Sequence, residues 1–488
     1  MNKKKIICTI ASIVLIIVVG VVGYLVGSQQ TGFQPSFRVI GDIDEEIIIE
    51  SLKDYELTSF SYSDETIKGV SIHTLIDSST LLDANSNILI VGADGFASEI
   101  SYQSAAESYI VFSKENGWEI MNVNHPPSCD IKNIKEIVVV SAEETSNYVF
   151  SVFTENENLY GKTIGQMYLD ITTSYYSFEG TSKINDNFVT VYMPHTIFDM
   201  QDMMQKYEVD EAYTSTGMLF LDDGSIVQVP LDGYIELDGC DINYVSYDTE
   251  YEYLDVGGMY LGDPVGYLGD VYYDMEHYLT SGKNVMLLYV DGFSYEMYEK
   301  SLEMDIIPNL ATGDVRKVVT VYKSVTNAGF ATMITGQTPN INGVHSRDER
   351  ALLVDSIFQI ALDEDIPTAF LEASTQILDT EIKPSLNVNG DESILQETIE
   401  AVYAGNEFIF THTHQLDEMG HSYGPYDDRL YDYLEMFDEY LGEIMECFEG
   451  EIYITSDHGM HKTAEGGDHG SLRYEDMIIP IIHINTEK

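Results

Sequence analysis

The chain has 488 residues, and its 44% hydrophobic and 11% aromatic residues supply apolar surface for more than one packed core, which excludes global disorder. The 82 acidic and 24 basic residues give a formal net charge of −58. A field of that sign repels nucleic acids and anionic lipid headgroups, so nucleic-acid binding is not expected.

The first residues predict a membrane anchor. Residues 1–5 include three lysines and form a predicted cytoplasmic tail, and residues 6–27 are uncharged and long enough to span a bilayer as a helix. A cleaved signal peptide is the alternative, but its apolar region is shorter and ends at a small-residue cleavage site. We favour a single-pass anchor in the cell membrane, with a cytoplasmic N-terminus and extracellular C-terminal domains.

Residues 28–278 are predicted to hold a stalk and one or two β-rich accessory domains. A polar stalk is expected over 28–60, a β-rich domain over 61–145 and a second β-rich region over 146–278, because short apolar runs alternate there with Gly, Asn and Pro turns. We expect this module to bind a protein partner or a cell-wall component. Its cysteines are too few and too widely spaced for a disulfide framework.

Part of this region resembles a known cofactor-binding fold. The run "GVSIHTLI…VGADGFASEIS" within 61–145 resembles part of the molybdopterin-binding fold of sulfite-oxidase-like proteins. A convincing counterpart of that family's cofactor-ligating cysteine is missing, since Cys129 lies late in the segment. The resemblance therefore implies a shared scaffold rather than a bound cofactor.

The pattern of apolar residues is different in residues 279–488. Short and nearly continuous apolar runs such as "NVMLLYV" and "EIYIT" alternate with helical segments, of which 427–448 has the clearest apolar face. This pattern predicts an α/β domain with a mostly parallel sheet covered by helices on both sides. Ligands bind at the carboxyl ends of the strands in such sheets.

Polar candidates follow these predicted strands. Each has an ordinary explanation as a turn, a helix cap or a surface residue, but together they suit two three-ligand metal sites around a hydroxyl nucleophile. Imidazole and carboxylate ligands favour Zn²⁺, and a metal pair can clamp the attacking and leaving oxygens at phosphorus. The candidates are Asp291, Thr326, Asp417, His421, Asp457, His458 and His469.

The order of these motifs resembles the alkaline phosphatase superfamily, most closely its nucleotide pyrophosphatase/phosphodiesterase-like branch. The matching stretches are "VDG", "TNAGFATMITGQTP", "DEMGHSYGP", "SDHG" and "HG". The resemblance implies two divalent metal ions, Zn²⁺ by ligand type, and a phosphothreonine intermediate on Thr326. One metal would be held by Asp291, Thr326, Asp457 and His458, and the other by Asp417, His421 and His469.

The sequence differs from that branch at the residues expected to contact the phosphoryl group of the substrate. The usual "PN" after the nucleophile is absent, and the residues expected to contact substrate are Asn327 and Gly329. Arg347 and Arg350 could supply positive charge there, but a solvated loop is the favoured interpretation of both. His461 is left open between a substrate contact and a bystander, and a core role is favoured for the histidines of "THTH".

The function expected from the resemblance is a membrane-anchored, extracytoplasmic two-metal hydrolase of phosphoric esters. It would act on a small-molecule phosphate ester as a phosphodiesterase, a nucleotide pyrophosphatase or a phosphomonoesterase. A second hypothesis is an extracellular binding or adhesion protein with a degenerate hydrolase domain. A third makes the N-terminal half an oxidoreductase domain with a pterin cofactor, and metal analysis of the purified protein separates the three.

Overall fold

The computed structural model describes residues 36–487 except 78–80, 143–148, 171–172, 185–186, 211–214, 248–251 and 263–265. The chain divides into an N-terminal unit, Met1–Thr145 with Thr163–Leu169, and a C-terminal unit, Ser146–Lys162 with Asp170–Lys488. The predicted anchor at 6–27 lies outside the described residues. Among the helices that are described, none has the length and apolar character needed to cross a membrane.

The N-terminal unit is built on β-sheets. Its strands are β1 (Phe37–Gly41), β2 (Ile47–Ile49), β3 (Thr58–Tyr62), β4 (Glu65–Ser71), β5 (Ser86–Gly92), β6 (Ala97–Ser101), β7 (Ser108–Ser113), β8 (Gly117–Asn122) and β9 (Ile134–Ser141), and its helices are α1 (Ile72–Leu75) and α2 (Ile164–Tyr168). A five-stranded sheet has the order β2-β1-β9-β5-β6, and a four-stranded sheet the order β3-β4-β7-β8. The short apolar runs of the region predicted to be β-rich include strands β5, β7 and β9.

Part of the expected stalk lies in these sheets. Strand β1 pairs with β9, and Phe37, Val39 and Ile40 are buried. The apolar run "FRVI" is too short to stand out between polar neighbours, and its burial depends on strand β9, about a hundred residues away. The resemblance to a molybdopterin-binding fold stays a prediction, and Cys129 is a free, partly exposed thiol.

The C-terminal unit begins with two five-stranded sheets. Their strands are β10 (Val149–Phe153), β11 (Asn158–Thr163), β12 (Thr173–Ile184), β13 (Asn187–Asp199), β14 (Thr216–Leu221), β15 (Ile226–Pro230), β16 (Tyr234–Asp238), β17 (Asp241–Val245), β18 (Glu252–Tyr253) and β19 (Val256–Leu261), with helix α3 (Met200–Lys206). The orders are β11-β10-β19-β14-β15 and β12-β13-β16-β17-β18. Phe153, Phe220 and Tyr260 pack with Leu472 and Ile478, so most of 146–278 shares one unit with 279–488.

The rest of this unit is a seven-stranded sheet with helices. The strands are β20 (Val285–Val290), β21 (Asp314–Val319), β22 (Thr368–Glu372), β23 (Ser385–Leu386), β24 (Phe408–Thr413), β25 (Glu451–Thr455) and β28 (Ile478–Asn485), while β26 (His461–Lys462) and β27 (Gly467–Asp468) form a separate pair. The helices are α4 (Asp270–Thr280), α5 (Tyr295–Glu303), α6 (Thr326–Thr335), α7 (Pro339–Asn342), α8 (Ile357–Asp363), α9 (Asp391–Tyr403), α10 (Gln415–Tyr423), α11 (Asp428–Cys447) and α12 (Tyr474–Met477).

This sheet is mostly parallel, as predicted. Its order is β21-β28-β25-β20-β24-β22-β23, and β25, β20, β24, β22 and β23 run parallel to one another. Strand β28 is antiparallel to both of its neighbours. The carboxyl ends of the central strands therefore meet at one edge, where this architecture places ligands.

Apolar side chains cover both faces of the sheet. Along β20, Met286 and Leu288 enter one hydrophobic cluster, whereas Leu287 and Tyr289 enter another on the opposite face. Helix α11 covers the first face, which confirms the helix predicted over 427–448. The buried residues on its apolar face include Leu430, Leu434, Phe437, Leu441 and Ile444.

Candidate functional site

Asp291 stands at the carboxyl end of the central strand β20. Its backbone N–H donates to the carbonyl oxygen of Thr413 at 3.0 Å, which fixes it beside the end of β24. Gly292 follows with φ +77°, and a Cβ on it would lie 3.2 Å from the Cβ of Asp417. A glycine here makes the turn and lets helix α10 bring Asp417 close to Asp291.

Asp457 and His458 follow the neighbouring strand β25 and are fully buried. His458 Nε2 lies 3.0 Å from Asp457 Oδ2 and 3.5 Å from Asp291 Oδ1. Ser456 Oγ donates to the His458 carbonyl oxygen at 2.7 Å and accepts the N–H of Phe293 at 2.9 Å. The hydrogen bonds of Ser456 therefore hold the turn that carries Asp457 and His458.

Thr326 is the first residue of helix α6, and its Oγ1 lies 3.5 Å from His458 Nε2. Thr326 was predicted at a strand end, but strand β21 ends at Val319 and a connecting segment separates the two. Helix α6 approaches Asp457 closely, because a Cβ on Gly329 would lie 2.7 Å from the Asp457 carbonyl oxygen. Gly329 thus sets the distance between the helix and the acidic strand end.

A second group lies beside the first. Asp417 and His421 are one turn apart on helix α10 rather than at a strand end, and His421 Nε2 is 3.4 Å from Asp417 Oδ2. His469 follows β27, and its Nε2 is 3.7 Å from Asp417 Oδ1. The His469 and His458 rings stack with centroids 3.5 Å apart, so the two groups are adjacent.

The three imidazoles present the same nitrogen to the centre. The Nδ1 atoms of His421, His458 and His469 face the carbonyl oxygens of Gly467, Gly459 and Ser324 at 3.0, 2.9 and 2.8 Å. An Nδ1–H that donates to a carbonyl leaves the Nε2 lone pair available, which is the arrangement of metal-ligating histidines; in His469 that lone pair faces Arg347 Nη2. All three Nε2 atoms point toward the carboxylates described above.

Three carboxylate oxygens at this centre are left without a hydrogen bond. Asp291 Oδ1, Asp417 Oδ1 and Asp457 Oδ2 are buried and accept no hydrogen bond within the part of the chain that the structure describes. Burial, followed by the charges of Asp457 and Asp417, raises the pKa of Asp291 well above its usual value. Unpaired buried carboxylates of this kind are costly unless cations bind them.

The donor set fits metal ions. Ligand atoms of Asp291, Asp457 and His458 lie within 4.8 Å of one another, as do those of Asp417, His458 and His469. Burial raises the pKa of the Asp457 carboxyl, but the His458 imidazole outweighs it and the net shift is downward. Burial, with the neighbouring His458, lowers the pKa of His469 to about 2, so this ring is neutral and able to bind a metal at physiological pH.

Arg347 lies beside this centre. Its Nη2 contacts His469 Nε2, whereas Arg350 uses Nε to donate to the Ile377 carbonyl oxygen at 2.9 Å. Asn327 Nδ2 donates to the Arg347 carbonyl oxygen at 3.2 Å, so this amide holds the loop that carries the guanidinium. Arg347 is exposed in a turn, as expected of a solvated loop residue, but its guanidinium also contacts His469, which lies on a loop distant in sequence.

His461 is engaged elsewhere. Its Nδ1 lies 2.8 Å from Asp476 Oδ1, and both side chains are buried. Asp476 also accepts the N–H of Ser471 at 3.0 Å. This pair fixes the segment between His458 and helix α12. Because Asp476 occupies Nδ1 of His461, that nitrogen is not available to a substrate.

The match to a known family covers this part of the sheet. Residues 364–484 match the family described as type I phosphodiesterase / nucleotide pyrophosphatase. This segment of the C-terminal unit is similar to that family. The predicted resemblance is thereby confirmed, and the matched range contains Asp417, Asp457 and His469 but neither Asp291 nor Thr326. No curated protein matches the chain.

Solved structures also resemble parts of the chain. One is phosphonoacetate hydrolase from Sinorhizobium meliloti 1021 in complex with phosphonoformate, at 18% identity and TM-score 0.29, covering 36% of this chain and 56% of that one. Another is murine ectonucleotide pyrophosphatase / phosphodiesterase 5, at 16% identity and TM-score 0.31, covering 38% and 59%. The chain spans less than two thirds of either protein.

Proposed function

We propose that the chain is a metal-dependent hydrolase of phosphoric esters that uses Thr326 as its nucleophile. The observation that carries the proposal is the placement of Thr326 Oγ1 3.5 Å from His458 Nε2, beside buried carboxylates that accept no hydrogen bond. The family match to residues 364–484 supports the reaction class. We further propose, from the sequence of 6–27, that the chain is membrane-anchored with its hydrolase domain outside the cytoplasm.

The metal ligands would be Asp291, Asp457 and His458 near Thr326, and Asp417, His421 and His469 in the adjacent group. Two divalent ions there, Zn²⁺ by donor type, would lower the pKa of the threonine hydroxyl and offset charge on the leaving oxygen.

Residues of the chain supply the nucleophile and the positive charge that faces the phosphoryl oxygens. Thr326 Oγ loses its proton and attacks phosphorus, and the bond from phosphorus to the ester oxygen breaks so that this oxygen takes up a proton and leaves as the alcohol. Water then hydrolyses the phosphothreonine, which releases the phosphoryl product and regenerates the hydroxyl. The N-terminus of helix α6 directs backbone N–H groups and a partial positive charge toward the phosphoryl oxygens. Arg347 adds a full positive charge next to His469, and Asn327 holds its loop.

The test is turnover of an aryl phosphate monoester and an aryl phosphodiester by the full chain loaded with Zn²⁺. Thr326→Ala should lower kcat by roughly 10³-fold or more for the preferred ester, because the covalent route is lost. Thr280→Ala, a matched change at an exposed position of helix α4, should leave turnover unchanged. Full activity in Thr326→Ala would refute the nucleophile, and no turnover of either ester would favour a binding protein with a degenerate hydrolase domain.

A further inference from the structure

A cavity of about 530 Å³ lies next to the N-terminus of helix α6, where Thr326 is placed. Tyr322 and Lys323, in the segment that leads into this helix, form one of its walls. A second wall includes Glu349, whose backbone carbonyl oxygen accepts Nδ2 of Asn327, the residue after the nucleophile, at 2.7 Å. The cavity is therefore bounded by two segments that flank the nucleophile.

The third wall comes from the turn between strands β14 and β15, which lie outside the seven-stranded sheet. Asp222 of this turn lines the cavity. The turn packs tightly on the loop opposite, because a Cβ on Gly224 would lie 2.6 Å from the Pro339 side chain and 3.1 Å from His345 Nδ1. Gly224 has φ +78°, a backbone conformation that favours glycine. A sheet distant in sequence from helix α6 thus supplies part of the surroundings of the nucleophile.

The walls offer both donors and acceptors of hydrogen bonds. Among the described residues, no side-chain hydrogen bond or ion pair within 4 Å engages the Asp222 carboxylate or the Lys323 ammonium. Asp222 and the Tyr322 ring both lie close to Gly257, since a Cβ there would be 3.2 Å from Asp222 Oδ1 and 2.9 Å from Tyr322 Cε1. Burial, followed by the charge of Asp222, raises the pKa of Tyr322 to about 12, so its hydroxyl keeps a proton to donate.

This mixture of groups favours an uncharged ligand with several hydroxyl groups. Asp222, Asp223 and Glu349 give the walls three carboxylates against the single lysine, so a second phosphate on a substrate would be repelled. A hydroxyl both donates and accepts, so the hydroxyl groups of a sugar can bond to a carboxylate and to an ammonium without a charge of their own. A cavity of this volume is large enough to hold one sugar ring.

We propose that this cavity binds the organic part of the ester, and that Asp222 and Lys323 select a sugar or a similar polyhydroxylated alcohol there. The inference rests on the proposed function, because the nucleophile of that reaction lies beside the cavity. Asp222 accepts hydrogen bonds from the hydroxyl groups, Lys323 donates to them, and Tyr322 offers an aromatic ring and a hydroxyl in the same wall. The turn between β14 and β15 is thereby a specificity element for the reaction.

The test compares two phosphoric esters of similar size that differ in their hydroxyl groups. Glucose 6-phosphate and cyclohexylmethyl phosphate both carry the phosphate on a CH₂ group attached to a six-membered ring. They are offered to the full chain loaded with Zn²⁺, as monoesters or as methyl diesters according to the preference found with the aryl esters. From the alcohol released, kcat/KM should be roughly 10–100-fold higher for the glucose ester, the usual range for a hydrogen bond to a charged group.

Two variants test the residues themselves. Asp222→Ala and Lys323→Ala should each lower kcat/KM for the glucose ester by roughly 10-fold and change it by less than about 2-fold for the cyclohexylmethyl ester. Both side chains are exposed, so neither change should impair folding. Asp363→Ala and Lys300→Ala, the same changes at exposed positions of helices α8 and α5, should keep the preference of the wild type. A merely structural role would lower kcat/KM for both esters alike.

Failure of this inference differs from failure of the proposed function. Equal kcat/KM for the two esters in the wild type, or an unchanged preference in either the Asp222 or the Lys323 variant, would overturn the sugar subsite. Turnover of the aryl esters would still support Thr326 as the nucleophile in that case. No turnover of any ester, the aryl esters included, would overturn the proposed function and this inference with it.

Discussion

At the scale of single residues, Arg347 brings a full positive charge into a centre otherwise made of carboxylates and imidazoles. Burial raises the pKa of Asp417, and the guanidinium of Arg347 is among the groups that lower it. Since an arginine fork can donate to two oxygens of a phosphoryl group, its position beside His469 suits a contact with the transferred group.

We therefore expect Arg347→Ala to lower kcat/KM for the preferred ester by roughly 10–100-fold, the usual range for a lost hydrogen bond to a charged group. Arg347→Lys should recover part of the loss, because it restores charge without the bidentate geometry. Arg350→Ala is the control, since Arg350 donates to a backbone carbonyl at an exposed position, and should change kcat/KM by less than about 2-fold. Equal losses in Arg347→Ala and Arg350→Ala would show that the loop matters only structurally.

At the scale of elements, the meeting of helix α6 with the end of strand β25 sets the geometry of the centre. A Cβ on Gly329 would lie 2.6 Å from the Cβ and 2.9 Å from the Cα of Asp457, so the backbone itself obstructs any larger residue. Gly329 was predicted as a substrate contact, and that role stays a prediction. The contact with Asp457 gives it a separate structural requirement.

Gly329→Ala should destabilise the protein by about 1–3 kcal/mol, as overpacking in a buried contact does. The alanine pushes helix α6 away from Asp457, so Thr326 should also move away from His458. Chemical denaturation measures the stability change, and kcat measured well below the melting temperature reports the displaced nucleophile. An unchanged denaturation midpoint with full kcat would contradict this close packing.

The elements that could be predicted from the sequence are those with strong local signals. The strands β20, β24 and β25 and helix α11 follow from continuous or periodic apolar residues, and the motif residues after the strands come together as expected. Asp417 and His421 lie on a helix rather than a strand end, which the i, i+4 spacing could have indicated. The positions of Arg347, Asp222 and Lys323 depend on contacts between segments distant in sequence, which local patterns do not encode.

At the scale of the whole molecule, the formal charge of −58 opposes compaction. Like charges on a folded surface repel one another, and added salt screens this repulsion over a distance that falls from about 10 Å at 0.1 M to 3 Å at 1 M. The buried carboxylates around Asp291 lie out of reach of such screening and depend on bound cations instead. Monovalent salt and divalent metals should therefore stabilise the protein independently.

We expect the melting temperature of the Zn²⁺-loaded chain to rise as NaCl increases from about 0.02 to 0.5 M, by roughly 1–2 °C for each kcal/mol of repulsion removed. Choline chloride should act like NaCl, because screening depends on ionic strength rather than on a particular cation. After chelation the melting temperature should fall, and NaCl should restore only the surface component while Zn²⁺ restores the rest. A melting temperature that falls with salt, or a chelated protein fully restored by NaCl, would show that surface repulsion and the buried carboxylates are not separate sources of instability.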